Sequence, residues 1–138
     1  MIDRLQFILR MRAAVQRLMA LVAVMALVPA LSDAAHAGEA RVAEVKFQQA
    51  ADGTYRFDVT VRHADAGWEH YADRWQVLAP DGTVLGERVL LHPHDTEQPF
   101  TRSLAGVAIP DDITTVTVRA HDKRHGWGGA ELTIELRD

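Results

Sequence analysis

Histidine is the side chain through which this sequence is best equipped to do chemistry. The 138 residues carry seven histidines, 19 Asp+Glu and no cysteine. Six of the imidazoles fall in three short stretches: His63 and His70, His92 and His94, His121 and His125. Neutral imidazole is the commonest nitrogen ligand for transition metals such as zinc, copper and iron, and it also serves as a general base near neutral pH. The absence of cysteine removes thiolate ligands and thiol nucleophiles altogether. Two carboxylates stand beside these histidines: Glu69 next to His70, and Asp122 three residues before His125. No local spacing matches a stronger signature such as H-E-x-x-H. His92-Pro93-His94 is a strand-like i, i+2 pair, but Pro93 equally suits the end of a strand.

If these residues are to meet, the fold must bring them together. Residues 1–37 are expected to take no part in it. Arg4, Arg10, Arg12 and Arg17 precede 14 uncharged residues, Leu18 to Leu31, and Ala35-His36-Ala37 follows as a small-residue cleavage site. That order is the pattern of a secretory signal peptide. The apolar run is shorter than the roughly 20 residues a membrane-spanning helix needs. Cleavage after Ala37 would leave residues 38–138, a periplasmic or secreted domain with no membrane segment. Without Arg4, Arg10, Arg12, Arg17, Asp3 and Asp33 that domain keeps 11 Lys+Arg against 17 Asp+Glu. It is mildly acidic and has no basic patch for nucleic acid. An exported domain without disulfides must be held by an ordinary hydrophobic core.

After Gly38 the sequence reads as short alternating runs separated by turn residues, with no long amphipathic helical period. The expected strands are 41–49, 54–63, 71–78, 84–91, 100–104, 115–121 and 130–136. Seven such runs predict an all-β fold, an immunoglobulin-like seven-stranded antiparallel β-sandwich. In the second run Tyr55, Phe57, Val59 and Val61 share one parity and should face the core, as should Val116 and Val118 later. Trp75 reads as a core aromatic. Arg102 shares the parity of Phe100 and Leu104, which predicts a bulge or an edge pairing. Asp52-Gly53 and Pro80-Asp81-Gly82 are reversal signals.

Antiparallel strands send alternate connections to opposite ends of the sandwich. The second, fourth and sixth connections, 64–70, 92–99 and 122–129, share one pole. His63, His70, His92, His94, His121 and His125 all lie in or beside them, and the other pole has no histidine. Loops on a rigid scaffold can bring distant side chains into one site.

Taken together, His63, the run Glu69-His70-Tyr71 leading to Trp75, and His125-Gly126-Trp127 resemble the superoxide reductase and desulfoferrodoxin family. The likeness spans roughly residues 60–130 and implies an immunoglobulin-like sandwich. It also implies that His63, His70 and His125 stand at positions of iron-ligating histidines, with Glu69 as the acidic neighbour of the second. Asp122 stands where the family has its axial cysteine. The first loop is one residue longer than the family motif, and after the expected cleavage no histidine near the mature N terminus supplies a fourth imidazole. Superoxide reduction relies on the thiolate, so its absence counts against that activity. His70, His125 and Asp122, joined by His63, His92, His94 or His121, form a nitrogen and oxygen donor set that suits copper(II) or zinc better than an iron redox centre.

Two other readings compete. In one, the chain is a non-enzymatic binding module whose loops hold a protein partner through Trp68 and Trp127, since tryptophan is enriched at interface hot spots. In the other, His125 acts as an acid-base catalyst oriented by Asp122 or Glu69, although no nucleophile motif accompanies it.

Overall fold

The computed structural model describes residues 38–137; the expected leader, residues 1–37, lies outside them. The described residues form eight strands: β1 (Arg41–Gln49), β2 (Tyr55–Arg62), β3 (Ala72–Leu78), β4 (Val84–Val89), β5 (Phe100–Val107), β6 (Thr115–Asp122), β7 (Gly126–Trp127) and β8 (Leu132–Glu135). They build two antiparallel sheets. One has the order β1-β2-β5; the other runs β4-β3-β6, with β7 and β8 both paired to β6. Every pairing is antiparallel, and the fold is an all-β sandwich as the alternation predicts.

The core lies between the sheets. Tyr55, Phe57, Val59 and Val61 of β2 are buried, together with Trp75 and Val77 of β3, Phe100 of β5, and Val116, Val118 and Ala120 of β6. Trp75 is wholly buried, in keeping with its expected core role. Arg56 and Arg62, of opposite parity in β2, are exposed. Arg102 lies on the edge strand β5 opposite Val59. Its guanidinium runs outward to Glu97 at 3.1 Å and passes over the Phe100 ring. Edge pairing therefore accounts for Arg102, while the register shift of β5 falls further along, where Phe57 pairs Leu104 and Tyr55 pairs Val107.

Three expected elements need correction. The fourth run ends at Val89: the Leu90 N–H makes one last bond in register to Asp73 O, and Leu90 itself is buried in the core. The fifth run continues to Val107, carried through Gly106 at φ +72°. The last expected strand is shortened to β8, and β7 forms within the expected connection 122–129, so the described residues hold eight strands rather than seven. Between β7 and β8, both of which pair β6, the chain passes against β1 of the other sheet, where Ala130 O accepts from the Val42 N–H at 2.9 Å. Gly129 permits the close approach, since a Cβ there would collide with the Ala40 carbonyl.

Candidate metal centre

Strand register places the site. β3 pairs β6 with Ala72 opposite Asp122, so the loop ending in His70 and Tyr71 arrives beside the end of β6. β1 pairs β2 with Arg41 opposite Arg62, so 38–40 lie beside His63, the residue that follows β2. His125 sits in the turn between β6 and β7. Three imidazoles and one carboxylate thereby converge: the ligand atoms of His63, His70, Asp122 and His125 all lie within 4.8 Å of one another.

Asp122 is the hub. In β6 the inward parity runs Val116, Val118, Ala120, Asp122, so the strand ends with a carboxylate aimed into the sandwich, and the residue is 0% exposed. Its Oδ1 accepts from the backbone N–H of Arg124 at 2.9 Å and of His125 at 2.8 Å, while Oδ2 accepts from the Ala40 N–H at 3.3 Å. Burial alone would raise its pKa. The donated N–H groups and the nearby His63 outweigh burial and hold it below the ordinary carboxylate value. Asp122 is therefore an anion kept in place by main-chain donors, which take three of its roughly four acceptor sites and leave one on Oδ2.

Around it, His125 Nδ1 lies 3.0 Å and His70 Nε2 3.5 Å from Asp122 Oδ1, and these two nitrogens are 3.3 Å apart. His63 Nε2 stands 4.0 Å from Asp122 Oδ2. Ligands roughly 2.0 to 2.1 Å from a tetrahedral metal are separated by about 3.3 Å, so the three spacings among His70, His125 and Asp122 Oδ1 already suit a metal, while His63 would have to move closer. His63 and Asp122 are buried, the His70 side chain is 16% exposed, and that of His125 is 36% exposed. The centre thus has a buried floor and an open rim.

Two further groups complete it, and sequence reasoning missed both. The buried Asp65 carboxylate meets His63 Nδ1 at 2.5 Å and is itself held by the backbone N–H groups of Ala72 at 3.0 Å and His94 at 2.6 Å. A carboxylate behind a ligating imidazole sets its tautomer and orientation. The i, i+2 spacing of His63 and Asp65 was the available signal, but it gains meaning only once the loop is folded. The second group is the Gly38 carbonyl, whose oxygen lies 2.9 Å from His63 Nε2.

The other expected ligands lie outside the cluster. His121 precedes Asp122 in β6 and so faces the opposite side of the sheet; its Nδ1 meets Asp73 at 2.5 Å and its ring abuts Trp127. His92 is exposed, with Nδ1 at 3.0 Å from Pro93 O. His94 is buried and stacked on Phe100 at 3.8 Å between ring centroids, and neither of its ring nitrogens has a hydrogen-bond partner. Glu69 is exposed. Of the two loop tryptophans, Trp68 is 62% exposed. Trp127 is half-buried beneath Arg119, whose guanidinium lies 4.2 Å from the ring centroid.

No protein-family model matches the chain, and no solved structure does. It is similar to a protein of Halomicrobium mukohataei named "Putative lipoprotein", with 44% identity over 97 residues, 70% of this chain and 47% of that protein. The chain therefore spans about half the length of this relative.

Proposed function

We propose that this is an exported metal-binding protein that holds one transition-metal ion, copper(II) or zinc, on His63, His70, Asp122 and His125. The observation that carries the reading is the convergence of three imidazoles on one buried carboxylate. Hard anionic oxygen together with imidazole nitrogen suits copper(II) and zinc, and the chain offers no thiolate to favour softer ions. The four residues are also the ones singled out by the likeness to the superoxide reductase family, with Asp122 in the place of its cysteine. That coincidence supports a shared ancestry of the site without its redox chemistry. Export is supported by the signal-like residues 1–37 and by the lipoprotein name of the relative.

The test is metal content and affinity of residues 38–138 with copper, zinc and iron, beside a His70→Ala, His125→Ala double variant. Stoichiometric binding that the variant loses is the expected result. Equal weak binding by both proteins would overturn the reading. A partner-binding module remains the second reading, favoured by the exposed Trp68 ring at the same pole. It would come forward if wild type bound no metal.

A further inference from the structure

Taking the metal centre as proposed above, we infer that residues 38–40 form a strap that competes with the metal for His63: an ion held by His70 and His125 beside Asp122 gains His63 only when the Gly38 end of the strap swings aside.

Occupancy is the first observation. His63 Nδ1 meets Asp65, and the Gly38 carbonyl oxygen stands 2.9 Å from His63 Nε2. A ring nitrogen offers one hydrogen-bonding direction, outward in the plane of the ring, and a metal bond of about 2.0 to 2.1 Å uses the same direction. Whichever nitrogen carries the proton, the oxygen must move before an ion reaches Nε2.

The second observation is which donors stand apart. His125 Nδ1 and His70 Nε2, 3.3 Å from each other, already suit a shared ion, whereas His63 Nε2 lies 4.0 Å from Asp122 Oδ2. The strap holds both atoms of the wider gap, since the Gly38 carbonyl faces Nε2 and the Ala40 N–H donates to Oδ2 at 3.3 Å. The open side of the centre is thus ready for an ion, and main chain occupies the buried side.

The third observation is how the strap is seated. Ala40 is buried and Arg41 pairs with Arg62, which anchors one end. The other end is Gly38, at φ +104°, lying so close to His125 that a Cβ would come 3.1 Å from its Cε1. Glycine reaches both signs of φ about equally readily, so this residue can lie against the centre or turn away from it. Swinging aside gives up the Gly38 contact, and a net hydrogen bond of ordinary strength is worth about three- to tenfold in a binding constant. An ion arriving at the rim therefore binds there first and claims His63 afterwards.

The experiment measures zinc affinity for wild type, Gly38→Ala, His63→Ala and the double variant, each expressed as the full chain and purified after export. Thermal unfolding without metal checks that all four fold alike. Alanine at position 38 is strained at positive φ and presses on His125, which loosens the strap. We expect Gly38→Ala to bind zinc about three- to tenfold more tightly than wild type, and the gain to vanish when His63 is alanine. No gain, or a gain that persists without His63, would overturn the strap. A second measurement needs no substitution: by NMR, zinc should abolish the contact between the Gly38 Hα protons and the His125 ring while shifting His63 Nε2. A contact that persists at zinc saturation, or is lost with His63 Nε2 unmoved, would overturn it equally. In those cases zinc still binds and the histidine centre stands. Wild type that binds neither zinc nor copper would remove centre and strap together.

Discussion

The Asp65 carboxylate and the His63 imidazole meet at 2.5 Å with both side chains wholly buried, on the buried side of the candidate metal centre. Asp65 is held from behind by two backbone N–H groups, so it cannot swing away when His63 turns toward a cation. Asp65→Asn keeps the shape and removes the charge. We expect it to weaken metal binding by about ten- to a hundredfold while the domain stays folded. Titration calorimetry together with circular dichroism checks both halves of that statement.

Metal should stabilise the fold, because the donors come from both sheets: His63 follows β2 of one, and Asp122 ends β6 of the other. An ion that binds only the folded state contributes about 2.7 kcal/mol at a hundred times its dissociation constant. For a domain of this size that raises the melting temperature by about 10 °C or more. Excess chelator should abolish the shift. A melting temperature indifferent to copper and zinc would contradict a bridge between the sheets.

Acid should destabilise the protein partly through His94. Burial pushes this ring below the ordinary imidazole value of 6.5, with Arg102 and His92 adding to the effect and Asp65 and Glu97 opposing it. The unfolded chain therefore binds the proton first. The stability that His94 contributes by staying neutral is present above about pH 6.5 and is lost as pH falls toward its lower folded pKa. His94→Phe keeps the stack on Phe100 and sacrifices no ring hydrogen bond. Denaturant titrations between about pH 5 and 7.5 should show a shallower decline in the variant than in wild type.

Asp122 carries a structural duty as well. Asp122→Ala leaves the N–H groups of Ala40, Arg124 and His125 without their acceptor and should cost about 2 to 3 kcal/mol in urea unfolding without metal. Asp122→Asn retains one acceptor oxygen and should cost less, yet lose metal affinity as fully. A parallel loss of stability and affinity across the two variants would mean that the site fails only because the fold does.

Gly129→Ala tests the close approach of this segment to the start of β1. The added methyl would strike the Ala40 carbonyl, and the chain cannot retreat without breaking the Val42 to Ala130 hydrogen bond. A loss of about 1 to 3 kcal/mol is expected, the usual scale of overpacking. Gly128, which passes against the Glu39 side chain, should tolerate alanine better because a side chain can move aside.

How much of this was legible beforehand depends on the range of the physics involved. Period-two alternation is local, and it located β2 and β6, the core role of Trp75 and the pole that gathers the histidines. The parity of Val116 and Val118, extended two steps, also points Asp122 inward. Ending that strand at His121 left Asp122 in the following connection, so its burial was not read although the residue was named as a donor. The same parity places His121 on the outer face, so its exclusion from the cluster could have been read from the alternation.

What the sequence by itself determined is the all-β class, the shared pole and the kinds of donor available, because each follows from residue type and from neighbours one or two positions away. Only the tertiary structure decided which donors meet. His63 and Asp122 belong to different sheets, and Asp65 and Gly38 become parts of the centre through strand register and main-chain hydrogen bonds that no local pattern encodes. The close pass at Gly129 has the same origin, since a glycine pair signals a bend but the carbonyl it must pass belongs to Ala40, about 90 residues away.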